Sequence, residues 1–226
     1  MHTLLDNVFW HALSGPQAHC AVGSATARRF APGFSPIVGF ADPAQPDFAA
    51  LAPHCQPGDR FYCDGWTGAA PAGWQIEVAS TMYKMVWDGP LPPADEGLDA
   101  KLLDASHVAE AMELATLTRP GPFGPRTLEL GRYVGCFEGG QLIAMAGERT
   151  QAGRYREVSG ICTHPDHQGR GLARRLTARV VRHMLLQGET PFLHVMRDNV
   201  GAHALYQRMG FRDHRESVIR VVVFGG

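Results

Sequence analysis

The chain has 226 residues, 45% of them hydrophobic and 19% charged, and its 21 Lys and Arg against 22 Asp and Glu leave a net charge of -1. This is an ordinary globular composition, with room for one large domain or two small ones, and it excludes a disordered or collagen-like chain. The near-zero charge gives no electrostatic drive toward nucleic acid or an anionic membrane, so neither is expected as a partner. Purely apolar runs such as Val221-Val222-Val223-Phe224 are far too short to cross a bilayer. The N-terminus shows no basic region followed by an apolar core, so a cytoplasmic location is expected. Five cysteines at irregular spacings, without a Cys-x-x-Cys pair, read as reduced thiols. The 11 histidines form no His-Glu-x-x-His, so no metal is expected and they read as surface or packing residues.

Taken in order, Leu4, Leu5, Val8, Phe9 and Ala12 repeat with a helical period that Ser14-Gly15-Pro16 stops, which predicts a short opening helix. Strands are expected near Cys20 to Arg29, Pro36 to Phe40, Arg60 to Cys63 and Trp74 to Trp87, and a short helix at Phe48 to Leu51. The aromatics Phe61, Tyr62, Trp66, Trp74, Tyr83 and Trp87 read as core or interface. The proline-rich, polar stretch from Gly89 to Gly97 places a domain boundary near residue 95, leaving residues 1–95 as an N-terminal lobe. Since Leu4, Leu5, Val8 and Phe9 find little to bury against in their own segment, that lobe is expected to be integral to the rest.

Beyond the boundary, Val108, Met112 and Ala115 predict a helix from about Ser106 to Pro120, with a second short helix after Pro125. Arg132 to Phe137 and Gln141 to Glu148, separated by Gly139-Gly140, read as a hairpin, and Tyr155 to Thr163 as the next strand. Pro165 breaks that strand and the turn Asp166-His167-Gln168-Gly169-Arg170-Gly171 follows. Leu172, Leu176, Val180 and Met184 then recur every four residues, with Arg174, Arg175, Arg179 and Arg182 on other faces, so a helix opens directly from the glycine turn. A helix start presents unpaired N–H groups and the positive end of the dipole, and glycines let a ligand approach closely, so the turn is a candidate diphosphate site. It fits neither common nucleotide pattern: Arg174 stands where a dinucleotide fingerprint has its third glycine, and no Gly-Lys-Ser/Thr follows.

Gln168, Gly171 and Ala173 do fit Gln/Arg-x-x-Gly-x-Gly/Ala, the acetyl-CoA pattern of the GNAT N-acetyltransferase superfamily, which the chain resembles. Asn199 to Phe211 resembles the superfamily's second signature, Asn-x-x-Ala-x-x-Leu-Tyr-x-x-x-Gly-Phe, after a predicted strand from Pro191 to Met196. The resemblance points to the FR47-like branch, covers residues 96–226 and leaves residues 1–95 as a possible degenerate half of the same fold. It implies an α/β fold with a mixed, mostly antiparallel central sheet flanked by helices, closed by Val218 to Phe224, and the additional N-terminal α/β lobe.

What the resemblance implies for chemistry is acetyl-CoA as cosubstrate and direct transfer to the primary amine of a small molecule or peptide, by a monomer or homodimer. Cofactor contacts are expected from Ile161, Cys162 and Thr163, pairing as a strand with the pantetheine arm, and from Gln168, Gly169, Arg170, Gly171, Leu172 and Ala173. Asn199 either touches the cofactor or caps its helix. Glu157, eleven positions before Gln168, matches a strand glutamate acting as general base in the histone-acetylating branch, with burial raising its pKa; the alternative is a solvated carboxylate. Tyr206 matches the phenol proposed to protonate the leaving thiolate, or else packs under the sheet. Cys162 has no neighbour in sequence to make it a thiolate and stands as a strand residue. Two other readings stay open: a non-catalytic acyl-CoA sensor or scaffold, and a different acyl donor.

Overall fold

The computed structural model describes residues 4–226, and the start of the expected lobe, residues 1–3, lies outside them. Strands from both halves of the sequence join one eight-stranded sheet. In chain order the elements are α1 (Val8–Leu13), β1 (Ala21–Gly23), β2 (Ala27–Phe30), β3 (Val38–Phe40), α2 (Phe48–Leu51), β4 (Arg60–Asp64) and β5 (Trp74–Trp87). There follow β6 (Lys101–Leu103), α3 (Val108–Thr118), β7 (Tyr133–Glu138), β8 (Gln141–Ala152), β9 (Tyr155–Thr163), α4 (Leu172–Leu186), β10 (Thr190–Met196), α5 (Val200–Met209) and β11 (Phe211–Phe224). The large sheet runs β4-β11-β5-β10-β9-β8-β7-β6, and β1-β2-β3 form a second, three-stranded sheet. All pairings are antiparallel except β9 with β10. The mixed, mostly antiparallel sheet with flanking helices is the expected fold class.

Local differences from the sequence reading have local causes. The segment Cys20 to Arg29 is a hairpin and not one strand, because Gly23 at φ 147° and Ser24 turn the chain between β1 and β2. The second helix expected after Pro125 is one 3₁₀ turn, Thr127–Leu130, which ends at Gly131. The closing strand begins at Phe211, well before Val218, because Gly210 in the left-handed region ends α5 and releases the chain straight into β11. The boundary near residue 95 divides the sequence and not the sheet, since β5 lies between β10 and β11 and pairs with both.

The two faces of the sheet are covered by different parts of the chain. Leu172, Leu176, Val180, Val181 and Met184 of α4 pack with Tyr206 of α5 on Met85, Val134, Val158, Leu193 and Val195. Each large apolar side chain so buried contributes roughly 1.5–3 kcal/mol, and beside this the exposed Arg175–Asp95 pair counts for little. On the opposite face α3 packs on Met145 and Cys162. Leu5, Val8, Phe9 and Leu13 pack there on Phe30, Phe34, Ile37 and Val86 of the first half and on Ala152 and Phe192 of the second, so the opening helix buries its apolar face against both halves and not against the second alone. Phe40, Phe48, Phe61, Trp66 and Trp74 gather β3, α2, β4 and β5 into a further aromatic cluster.

A buried polar clasp ties the opening segment to the sheet. Lys84 on β5 is 1% exposed, and its Nζ donates to the Leu5 carbonyl at 2.6 Å and to Asp64 Oδ2 at 3.2 Å. The other Asp64 oxygen accepts from Ser217 Oγ at 2.6 Å. A buried ion satisfied on several sides is costly to break singly, because its partner is left charged and alone. Lys84→Ala is therefore expected to lower unfolding stability by about 3 kcal/mol, read from urea titration, and an unchanged midpoint would refute the clasp. A fragment of residues 96–226 lacks β4 and β5 and leaves the facing edges of β10 and β11 bare. It is expected to be insoluble or molten; a soluble fragment with a cooperative melt and full activity would show the first half to be a separate module.

Candidate active site

The site begins where two parallel strands part. β9 and β10 pair only over Tyr155–Glu157 and Thr190–Phe192, and beyond Glu157 and Phe192 the ladder ends. β9 also carries a bulge: Gly147 stands opposite Ser159 and Met145 opposite Cys162, so Gly160 and Ile161 together face Ala146. Gly160 takes φ 62°, and a Cβ there would come within 2.9 Å of the Tyr133 ring, so only glycine fits both the backbone and the space. Fork and bulge leave the Val158–Thr163 edge of β9 without a strand partner on its β10 side. A cleft of about 980 Å³ opens there, lined by Ile161, Cys162 and Thr163 on one side and Val195, Met196 and Tyr206 on the other.

One end of the cleft is the glycine turn. Gly169 and Gly171 have φ 77° and 73°, and a Cβ on either would meet nothing within 4 Å, so the turn opens onto free space. No side chain caps α4, and its first helical bond runs from Arg175 N–H to the Gly171 carbonyl. The preceding N–H groups at the helix start therefore have no intrahelical partner, an arrangement that suits an anionic group. Gln168, Gly169, Gly171, Leu172, Ala173 and Arg174 line this end. Arg170 does not: its guanidinium is turned to Glu138, at 3.0 and 3.3 Å. Asn199 caps α5, its Oδ1 accepting from Ala202 N–H at 3.2 Å, and also lines the cleft.

At the fork lies a buried charged group. Glu157 is 1% exposed. Arg149 on β8 grips it in fork geometry, Nε to Oε2 at 3.0 Å and Nη2 to Oε1 at 2.7 Å. His194 on β10 brings Nδ1 to 2.7 Å from Oε1. Burial alone raises the Glu157 pKa, as the sequence reading expected, but the Arg149 charge and the His194 contact outweigh it and hold the carboxyl well below the usual range. The expected upward shift is thus corrected to a downward one.

Burial is the largest influence on the two neutral groups nearby. Tyr206, 8% exposed, is pushed up to about 12, chiefly by burial with Cys162 adding, so its phenol keeps its proton at neutral pH. Burial likewise pushes the Cys162 thiol up to about 11, which leaves it a neutral strand residue and not a nucleophile. Among the described residues no three His, Cys, Asp or Glu side chains converge as metal ligands.

The far end of the cleft is walled by the first half of the chain. Phe9, Ile37 and Tyr62 line it together with Val78, Ile219 and Val221, and the loop Thr118 to Pro122 closes one side. Sequence reasoning missed Arg149 and His194. The signal available for His194 was its place between Phe192 and Met196 on alternate positions of an apolar strand, where a polar ring must meet a partner. Arg149 carried no comparable signal.

The family model described as FR47-like protein matches residues 133–220. An 84-residue stretch is 39% identical to the N-alpha-acetyltransferase RimI of Mycobacterium tuberculosis, covering 35% of this chain and 51% of that protein. An 82-residue stretch is 38% identical to the mycothiol acetyltransferase of Streptomyces coelicolor, covering 35% of this chain and 26% of that one. The chain thus spans about half the length of the first curated relative and a quarter of the second. A crystal structure from Novosphingobium aromaticivorans, assigned to the GNAT family of acetyltransferases, superposes with a TM-score of 0.91 at 35% identity and covers 100% of both chains. The chain belongs to the GNAT acetyltransferase family, with its FR47-like segment at the fork and the glycine turn.

Proposed function

We propose that this protein is an acetyl-CoA-dependent N-acetyltransferase that moves an acetyl group directly to a primary amine of a small molecule or peptide. The observation that carries the reading is one continuous cleft that runs from an uncapped helix start, past an unpaired strand edge and a protonated phenol, to an apolar wall. The names of the curated relatives, one acting as an N-alpha-acetyltransferase and one on mycothiol chemistry, are consistent with a peptide or small-molecule acceptor.

In this reading acetyl-CoA supplies the activated acyl group as a thioester. The helix start at Gly171 to Arg174 holds the diphosphate, and the β9 edge at Ile161 to Thr163 pairs with the amide-rich arm as an added strand. Free N–H groups at the bulge polarise the thioester carbonyl. Tyr206 protonates the departing sulfur, a transfer that suits a phenol kept neutral by burial. Phe9, Ile37 and Tyr62 exclude water from the acceptor side and favour an amine with an apolar body.

The reading is tested by mixing the protein and acetyl-CoA with peptide amino termini, amino sugars and arylalkylamines while following thiol release and product mass. Transfer to none of them, with CoA still bound, would point instead to a binding module. Gly171→Glu is expected to abolish CoA binding in calorimetry, because it puts a carboxylate where the diphosphate must approach and forces a side chain into the left-handed region. Undiminished affinity in a folded Gly171→Glu protein refutes the anion site. Tyr206→Phe is expected to keep CoA affinity while lowering kcat by roughly 100-fold, and wild-type turnover would move the acid role elsewhere.

A further inference from the structure

We propose that the proton acceptor of the reaction is His194 Nε2, with Glu157 and Arg149 as the residues that position it. The inference rests on amine acetylation in this cleft and adds a residue that neither the motifs nor the glutamate spacing indicates.

The geometry decides which ring nitrogen is free. Glu157 is ionised, and an ionised carboxylate only accepts hydrogen bonds, so the 2.7 Å contact to its Oε1 requires the proton on His194 Nδ1. In the neutral ring the lone pair then lies on Nε2. That atom is buried and makes no hydrogen bond within the chain, although buried polar atoms are ordinarily satisfied. The ring lines the cleft just past the point where β9 and β10 part. Phe9 and Phe192 hold it, with centroids at 5.3 and 5.6 Å, and its side chain is 9% exposed. A fixed, unpartnered basic nitrogen on a ring that lines the cleft is what an incoming amine requires.

The surrounding charges explain why Glu157 positions and does not itself accept the proton. Both of its oxygens are bonded to Arg149, and one also to His194. Arg149 is fixed in turn by the Pro122 carbonyl, at 3.1 Å from Nη1. Lys84 stands directly across from His194 in the β5–β10 ladder, and it is matched by Asp64 and the Leu5 carbonyl. Tyr62 reaches the same chamber from β4, and α1 contributes the uncharged Phe9. The fixed charges around the ring are therefore paired with one another, and the Nε2 side of the imidazole faces none of them as a partner.

The step balances as follows. The amine nitrogen bonds to the acetyl carbon, the carbon–sulfur bond breaks, the amine proton passes to Nε2, and the Tyr206 proton passes to sulfur. Solvent then takes the imidazolium proton and restores the phenol.

The test follows kcat/KM against pH for the full chain with acetyl-CoA and 2-phenylethylamine. The wild-type profile should rise with pH as one imidazole loses its proton, with an apparent pKa that falls on warming, as imidazoles show and carboxyls do not. His194→Gln should lose this rise and about 100-fold of kcat/KM at neutral pH while binding CoA as before. Glu157→Gln should keep the rise but move it to lower pH, because the unmatched Arg149 charge then disfavours imidazolium. A rise that survives in His194→Gln and disappears in Glu157→Gln would overturn the proposal and make the glutamate the base. Because Glu157→Gln leaves a buried guanidinium unpaired, a readout on the wild-type protein stands beside it. Ring nitrogen shifts of His194 should show a protonated Nδ1 and a bare Nε2 without any acceptor present. The reverse tautomer would overturn the assignment, whereas the expected tautomer with no transfer to any amine would count against the acetyltransferase reading instead.

Discussion

Everything in this active site depends on two strands that pair and then refuse to stay paired. A parallel β9–β10 ladder over Tyr155–Glu157 and Thr190–Phe192 fixes the strands' spacing, and its abrupt end leaves the following stretch of β9 without a strand partner on that side. Unpaired strand groups inside a fold are expensive, and a ligand that supplies amides is their natural partner. The bulge at Gly160 and Ile161 sharpens the divergence. The helices do not create the cleft; they occupy the space that the fork opens, with the start of α4 at one end and Tyr206 of α5 along its side.

The charge at the base of the fork is held by the same divergence. Glu157 is the last residue of β9 inside the ladder, and Arg149 reaches it from β8 while His194 reaches it from β10. A carboxylate this buried persists only when its charge is met and its lone pairs are filled. Arg149 meets the charge in fork geometry, and His194 fills a further lone pair of the carboxylate. Burial has opposite consequences for the neighbours: the ion pair stays charged because it is matched, whereas Tyr206 and Cys162 stay neutral because they are not.

How much of this was legible in the sequence follows the range of the interactions. The helix α4 and the turn before it were readable because a four-residue apolar period and the Gly169–Gly171 spacing are local patterns. The hairpin of β7 and β8 was readable from Gly139-Gly140 for the same reason. Strand order was not, since no local pattern states that β5 sits between β10 and β11, and the proline-rich run after it looks like a linker although it lies along α4, held by Arg175, Arg179 and Arg182. The three-residue β6 was too short to show a period. At the site, spacing placed Glu157 in the cleft but said nothing of its pKa, which is decided by residues on two other strands, one of them 37 positions away.

The position of β5 has a consequence for how the protein is made. Its fourteen residues end at Trp87, yet β10 begins at Thr190 and β11 at Phe211. On the ribosome, at roughly 5–20 residues per second, β5 waits several seconds with both edges open, which is the situation that invites strand-to-strand aggregation between nascent chains. Gln75, Glu77, Ser80, Thr81 and Lys84 interrupt the strand along its length. The buried lysine is therefore a gatekeeper during synthesis before it becomes a clasp in the finished fold.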